Sequence, residues 1–569
     1  MLFRPDSEMD FINNTNQTVQ DCVSRLQDEF DVLDIIYCDD LSMFDLYIKI
    51  KNLYKESYNN DQRIIFVMTK DTGVSSTAGL ILQNLQLAIN DIDISNFFVC
   101  LVTTNPNINV EYQYILDNIS HDKIPLHIYQ CQGVYNIIND AGIDIFSKYS
   151  SIKHEAEKIK ELNLKQQKLL FESKTFCMMP WAGINIEPDN RVRPCCEFDQ
   201  SLGDCSKDSL ETIWNSEQWK KVRKDMLDGV PIKACDKCYQ KEKMGRDTLR
   251  KSTNRLLFDN IDLVEQTSND GHLSEFKLGY WDIRYNNLCN LTCRSCTPNL
   301  SSSWYHVSSA LGKIKTPRSP IMIAGSNNLN IFDQIVSHIN HVKQIYFAGG
   351  EPSMIDKFYH ILELLDSAGR NDVQLCYNIN MSRLSLKDKS LLTLWKKFPN
   401  VSVGASLDGE YQRGEYIRQG LVWDDVITNR RKIQEECPHV DFYISATVSV
   451  LNVLHLPDFH KSWVDLGLIA PQDFNLQILF WPDYLRVDRV PSSMKEKIKQ
   501  SLNDHLDWLV PRDPLGRATY GFRSILSYIE NDSQFDTQQF WHNVSLLDEY
   551  HHTNMLSVFP ELDILLKSE

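Results

Sequence analysis

Three cysteines on one short loop, Cys289-Asn290-Leu291-Thr292-Cys293-Arg294-Ser295-Cys296, constrain this 569-residue chain more than any other feature. The spacing puts three thiolates on one tight loop. Nine of the fifteen cysteines lie between Cys177 and Cys296, and such clustering without a secretion signal points to metal ligation rather than to disulfides. A [4Fe–4S] cube takes four cysteines, so three leave one iron open to a substrate. Taken alone, the loop also suits a zinc knuckle, or a cluster completed by a remote cysteine.

A second motif follows the next strand. Gln344–Ala348 is a run of strand-forming residues that ends in Gly349-Gly350-Glu351-Pro352. Paired glycines allow close backbone approach to a ligand, and an acidic side chain with freed carbonyls suits an ammonium group. Both motifs fall at the C-terminal ends of strands, where barrels of alternating strands and helices keep their chemistry. Six such strands are predicted at Lys277–Tyr285, Gln344–Ala348, Gln374–Asn380, Val401–Leu407, Asp441–Leu451 and Asn475–Phe480.

The CxxxCxxC loop with GGEP resembles the signature of the radical S-adenosylmethionine (SAM) superfamily, over roughly residues 275–485. The resemblance implies an α/β fold with a partial (β/α)6 TIM-like barrel. It also implies that Cys289, Cys293 and Cys296 hold a [4Fe–4S] cluster, that SAM chelates the open iron, and that Gly349, Gly350, Glu351 and Pro352 line its amino group. Later strand ends offer Asn378 and Asn380, then Ser406-Leu407-Asp408-Gly409, then Arg418. Of these, Asn380, Ser406, Asp408 and Arg418 are the expected SAM contacts, with Asn452 a weaker candidate; Arg suits a carboxylate because it binds bidentately. The family often has an aromatic residue before the third cysteine, where this chain has Ser295.

Ahead of that region, Cys177-Met178-Met179-Pro180-Trp181 leads to Asn190-Arg191-Val192-Arg193-Pro194-Cys195-Cys196 and then to Cys235-Asp236-Lys237-Cys238. A CxxC turn and two further thiols make a four-thiolate site, and spacing does not separate iron–sulfur from zinc. Beside a radical SAM core, the segment resembles the twitch (shortened SPASM) domain, including Trp214-Asn215-Ser216. That match implies a second, auxiliary [4Fe–4S] cluster on Cys177, Cys195, Cys235 and Cys238, with Cys196 an alternative to Cys195 and Cys205 a spare. Asn190 stands where a glycine is usual, which is tolerable because Asn accepts positive φ. The segment precedes the core, whereas such domains commonly follow it.

Length implies two or three domains. Residues 1–150 read as an α/β domain of unknown role, with strands at Leu33–Tyr37, Ile64–Thr69, Phe97–Thr103 and Leu126–Tyr129. The loop Thr69–Thr77 opens a helix and reads as an ordinary cap. Residues 151–174 form a helical linker, 175–255 a small Cys-rich domain and 486–569 a helical C-terminal cap. In that cap His551-His552 reads as a surface pair. The basic run Lys241, Lys243, Arg246, Arg250, Lys251 and Arg255 reads as a solvated helix face.

The formal charge of −17 argues against a nucleic acid partner. No window approaches about 18 uncharged apolar residues, and the first residues lack a basic stretch followed by an apolar one, so a cytoplasmic protein without a membrane partner is expected. The resemblance implies an external one-electron reductant such as flavodoxin or ferredoxin, and a peptide, sugar or other small substrate. Two rival functions stay open: a non-enzymatic iron–sulfur or zinc scaffold or electron carrier, and a radical SAM enzyme that modifies RNA or nucleotides.

Overall fold

A computed structural model of the protein describes residues 162–243, 248–325, 330–513, 516–531 and 535–566, together with the backbone of four strands nearer the N-terminus. The chain divides into two compact units, one of Met1–Glu161 with Leu506–Thr519, the other of Leu162–His505 with Tyr520–Glu569.

In the first unit β1 (Val32–Tyr37), β2 (Arg63–Met68), β3 (Phe98–Thr103) and β4 (Leu126–Gln130) form one parallel sheet in chain order. Parallel neighbours need long crossovers. The helical stretches expected there and the Thr69–Thr77 loop lie outside the described residues.

The second unit is built on a nine-stranded sheet. Its strands are β5 (Gly183–Ile186), β6 (Arg191–Arg193), β7 (Gly203–Asp204), β8 (Tyr280–Ile283), β10 (Gln344–Phe347), β11 (Gln374–Ile379), β14 (Val401–Ala405), β16 (Asp441–Val448) and β17 (Phe474–Ile478). Two-residue ladders complete the set: β9 (Thr292–Cys293) with β15 (Arg418–Gln419), and β12 (Ser385–Leu386) with β13 (Lys389–Ser390). The order across the sheet is β17-β16-β14-β11-β10-β8-β5-β6-β7. All six strands expected between 275 and 485 are present and run parallel in chain order. The fold is thus mixed α/β around a mostly parallel sheet.

The Cys-rich segment contributes to that same sheet. Strand β5 lies parallel to β8, with Asn185 beside Asp282, and β6 and β7 continue it antiparallel. The turn from β5 to β6 passes through Asn190 at φ +71°, so Asn does take the left-handed conformation there.

One sheet face is apolar and fully covered. Ile345, Phe347, Leu375, Tyr377 and Ile379 alternate with partly exposed neighbours, as a period of two requires. Helices supply the cover. In Asp356–Ser367, residues Phe358, Ile361, Leu362 and Leu365 recur at helical spacing and are buried. Phe358 packs on Phe347 with ring centroids 4.9 Å apart. Burying an aromatic ring of this kind stabilises by about 1.5–3 kcal/mol.

The C-terminal region is helical at Ser492–Leu509, Arg517–Tyr528 and Thr537–His551. His552 caps the last of these at φ +54°, so His551 and His552 diverge. Among the described residues no helix is long and apolar enough to cross a membrane.

Candidate functional site

The loop after β8 is fastened before any ligand is considered. Cys289 N–H donates to Ser302 Oγ at 3.2 Å, and Ser303 Oγ donates to the Cys289 carbonyl at 2.7 Å. Trp304 Nε1 donates to the Cys293 carbonyl at 2.8 Å, and the β9–β15 ladder sets Cys293 opposite Arg418. These bonds fix the backbone from which the thiols project.

Burial pushes all three thiols up. Cys289 rises to about 12, chiefly by burial and then by the charges of Cys293 and Glu351. Cys296 is raised by burial and by its two partner cysteines. Cys293 is raised by burial, while Arg418 opposes the shift; its Nη1 lies 3.7 Å from Cys293 Sγ. Thiolates gathered in so dry a place need a cation, and an iron–sulfur core provides one. Among the described residues no three His, Cys, Asp or Glu side chains are drawn together at the spacing of a single metal ion. In a cube each cysteine serves a different iron, so the donor set fits a cluster without that spacing.

Gly349, Gly350 and Glu351 bind the second strand end to this loop. Gly349 adopts φ +85°, and a Cβ there would meet Arg284 Cα and Asn286 O at 2.9 Å. A Cβ on Gly350 would overlap the Leu288 carbonyl. The glycines therefore admit the cysteine loop itself, a use that the motif alone did not disclose. Glu351 N–H donates to Leu288 O at 2.7 Å.

The Glu351 carboxylate is committed to the protein. It accepts from Ser353 N–H at 3.0 Å, Ser353 Oγ at 2.7 Å and Asn380 N–H at 2.7 Å. It joins the end of β10 to the end of β11. Burial raises its pKa and these hydrogen bonds oppose the rise. Asn380 in turn donates to Asn290 Oδ1 at 3.0 Å, inside the cysteine loop. Pro352 opens a short 3-10 turn and is buried.

Asp408 and Arg418 form a buried ion pair, Nε to Oδ2 2.9 Å. Asp408 Oδ1 also accepts from Thr447 N–H at 2.7 Å, and its carbonyl accepts from Asn452 Nδ2 at 2.9 Å. Arg418 is thus held between Asp408 and Cys293. Ser406 N–H donates to Ile379 O at 2.7 Å, while Asn452 closes a turn onto Ser449.

In the Cys-rich segment the thiols of Cys177, Cys195, Cys235 and Cys238 form one electrostatic group. Cys195 is raised well above the usual thiol value by burial, and then by Cys196, Cys177, Cys235 and Cys238. Cys177 and Cys235 are raised by burial and by each other's group, Cys177 to about 12. Cys196 turns elsewhere: it is raised by burial, then by Asp282 and Glu197, while Arg284 opposes the rise. Cys205 lies apart, 3.8 Å from Asn190 Oδ1.

Arg250 corrects the reading of the basic run as a solvated face. It is 4% exposed, ion-paired to Glu242, and donates to the carbonyls of Ser173 at 3.0 Å and Phe176 at 2.7 Å. Its charge lowers the Cys177 pKa. Spacing among lysines could not separate it from its exposed neighbours. Asn215, from the Trp-Asn-Ser stretch, pairs both amide atoms with Leu273 at 2.8 and 3.0 Å.

A second layer covers the first cysteine loop. Cys296 packs against a buried group made by Trp304, Val307 and Leu547, the last from helix Thr537–His551. These residues shield a loop whose Ser295 cannot.

Comparison with known proteins gives one family match. Residues 177–239 match the SPASM iron–sulfur cluster-binding domain. No curated protein matches the chain. Among solved structures the chain is similar to "Native anSMEcpe with bound AdoMet and Cp18Cys peptide", at 19% identity over 40% of this chain and 57% of that one, with a TM-score of 0.28. A second is "Native anSMEcpe with bound AdoMet", at 19% identity over 40% and 58%, TM-score 0.29. The chain thus spans under two thirds of the length of either.

Proposed function

We propose, from the premise that residues 177–239 are a SPASM iron–sulfur cluster-binding domain, that this chain is a radical SAM enzyme acting on a peptide, sugar or other small substrate. The observation that carries the reading is the seating of Gly349–Pro352 directly on the three-cysteine loop, through Glu351 N–H to Leu288 O at 2.7 Å. Cys296 and Gly349 lie 53 positions apart in sequence, yet the two motifs are joined by this hydrogen bond.

When bound and reduced by an external one-electron donor such as flavodoxin or ferredoxin, the [4Fe–4S] cluster supplies the electron that splits SAM into methionine and a 5′-deoxyadenosyl radical, which takes a hydrogen atom from the substrate. In this reading Cys289, Cys293 and Cys296 hold that cluster. The backbone of Gly349–Pro352 faces the amino group, while Asn380, Ser406, Asp408 and Arg418 border the nucleoside and carboxylate side. Asp408 keeps the Arg418 guanidinium oriented beside Cys293. Trp304 and Leu547 exclude water from the Cys296 side. Cys177, Cys195, Cys235 and Cys238 hold the auxiliary [4Fe–4S] cluster as an electron relay.

Residues 275–485 serve as the catalytic core, 175–255 as the auxiliary domain and 486–569 as its cap. The setting proposed is the cytoplasm. Anaerobic reconstitution followed by dithionite and SAM is expected to yield 5′-deoxyadenosine, with none from Cys296→Ala. Its complete absence from wild-type protein with intact clusters would overturn the reading.

A further inference from the structure

Acidic side chains are missing from one continuous part of an acidic chain. Asp and Glu make up 76 of the 569 residues, yet none occurs over 283–332, which holds Arg284, Arg294, Lys313, Lys315 and Arg318. That stretch contains the three-cysteine loop and most of the crossover from β8 to β10. Against a formal charge of −17 for the whole chain, the surplus of cations is local to the loop and its crossover.

The crossover is tied to the cysteine loop. Asn287, two positions before Cys289, donates from Nδ2 to the carbonyls of Pro298 at 2.9 Å and Pro320 at 3.0 Å, and its Oδ1 accepts from Met322 N–H at 2.8 Å. Arg318 donates to the Pro298 carbonyl at 3.2 Å and to Asn299 Oδ1 at 3.0 Å, and its guanidinium lies 5.6 Å from the centre of the Tyr305 ring. Leu311 packs on the same group of Trp304, Val307 and Leu547 as Cys296 does.

What the crossover turns outward is apolar and basic together. Leu300 is 45% exposed, and Ile321 and Ile323 are each 40% exposed. Lys313, Lys315 and Arg318 are exposed as well. The hydrogen bonds of Arg318 all go to neutral groups, and among the described residues neither lysine is ion-paired. Unpaired like charges around exposed aliphatic side chains suit a transient protein contact, in which the charges steer the encounter and the apolar groups hold it. A nucleic acid matches less well, because three aliphatic side chains neither stack on bases nor bond to phosphates.

We propose that this face, formed by Leu300, Lys313, Lys315, Arg318, Ile321 and Ile323, is the docking surface for a small acidic protein that carries single electrons. It seats that carrier against the loop 289–296 rather than against the Cys-rich segment. Interfaces of redox encounters are small and weakened by salt, as a face of this size and charge requires. The inference rests on the radical SAM reading for the kind of partner; the face itself is defined without it.

Binding is read by fluorescence anisotropy on the full chain, reconstituted anaerobically. The labelled probes are an acidic flavodoxin, an acidic [2Fe–2S] ferredoxin and a single-stranded oligonucleotide. At least one carrier is expected to bind, more weakly as salt rises, and about tenfold more weakly to Lys313→Glu with Lys315→Glu. Ile321→Ser should weaken it too. Lys233→Glu with Lys237→Glu places the same charge change beside Cys235 and Cys238, and should change binding by less than about twofold. Iron content and melting curves show that each variant is loaded and folded. Binding of neither carrier, binding of the oligonucleotide as tightly as the carrier, or a loss at Lys233 and Lys237 that equals the loss at Lys313 and Lys315 would overturn the proposal. Dithionite needs no docking face, so it separates the two readings. Production of 5′-deoxyadenosine with dithionite but no carrier binding sinks this proposal alone, and carrier binding as expected without that product sinks the radical reading alone.

Discussion

Arg294, the residue after Cys293, donates from Nη2 to Asp548 Oδ1 at 2.5 Å across 254 positions of sequence. The same guanidinium stacks 3.7 Å over the Tyr416 ring, and Tyr416 Oη donates to the same Asp548 oxygen at 2.8 Å. Asp548 also accepts from Thr553 Oγ1 and Met555 N–H, each at 2.8 Å. Asp548→Ala leaves a guanidinium that is 2% exposed without its counter-charge. We expect a loss of about 3–5 kcal/mol of stability, measured by urea unfolding. Unchanged unfolding would mean that the C-terminal helix is held by its apolar contacts alone.

The two adjacent cysteines should behave differently. Cys195 shares the electrostatic group of Cys177, Cys235 and Cys238, whereas Cys196 faces Asp282. Cys195→Ala is expected to lower the content by about four irons per chain, and Cys196→Ala to leave it near that of the wild type. Iron and sulfide assays on the reconstituted protein decide this, and equal losses would contradict it.

Gly350 should tolerate no side chain. A Cβ would meet only backbone, at Asn287 and Leu288, which cannot swing aside as a flexible side chain does. Gly350→Ala is expected to cost about 1–3 kcal/mol through displacement of the cysteine loop. Thermal melting should show it. Gly369→Ala serves as a control for open space, since nothing lies within 4 Å of that position, although its φ of +66° carries its own strain.

Acid should weaken the second unit through a histidine pair. His460 Nδ1 and His505 Nε2 lie 3.0 Å apart, and burial pushes each imidazole down to about 3. Both are neutral in the fold, whereas the unfolded chain binds protons below about 6.5. Their contribution is therefore fully present above that value and is lost as pH falls from it toward 3. Urea midpoints should fall between about pH 7.5 and about pH 5, with a shallower slope in His505→Gln. An unchanged slope in that variant would contradict it.

The alternation of Ile345 with Tyr346, or Leu375 with Cys376, made the six parallel strands legible, because each strand buries one face. The cysteine sets were legible because ligand spacing is local. Pairing across long separations was not. Nothing in Gly183–Ile186 announces that it lies along Tyr280–Ile283, and nothing in Asp548 announces Arg294. Glu351 shows the same limit in a single residue: nothing in its motif announces that its carboxylate ties two strand ends together.

The packing of Cys296 against the group of Trp304, Val307 and Leu547 bears on how the protein is made. During translation the cysteine loop leaves the ribosome some 250 residues before the helix that covers it, as the Arg294–Asp548 separation measures. Until that helix arrives, the thiols of this loop lack one of their walls. On the proposed reading, the order of synthesis leaves an interval in which a cluster can be delivered to this loop before the finished chain covers the Cys296 side.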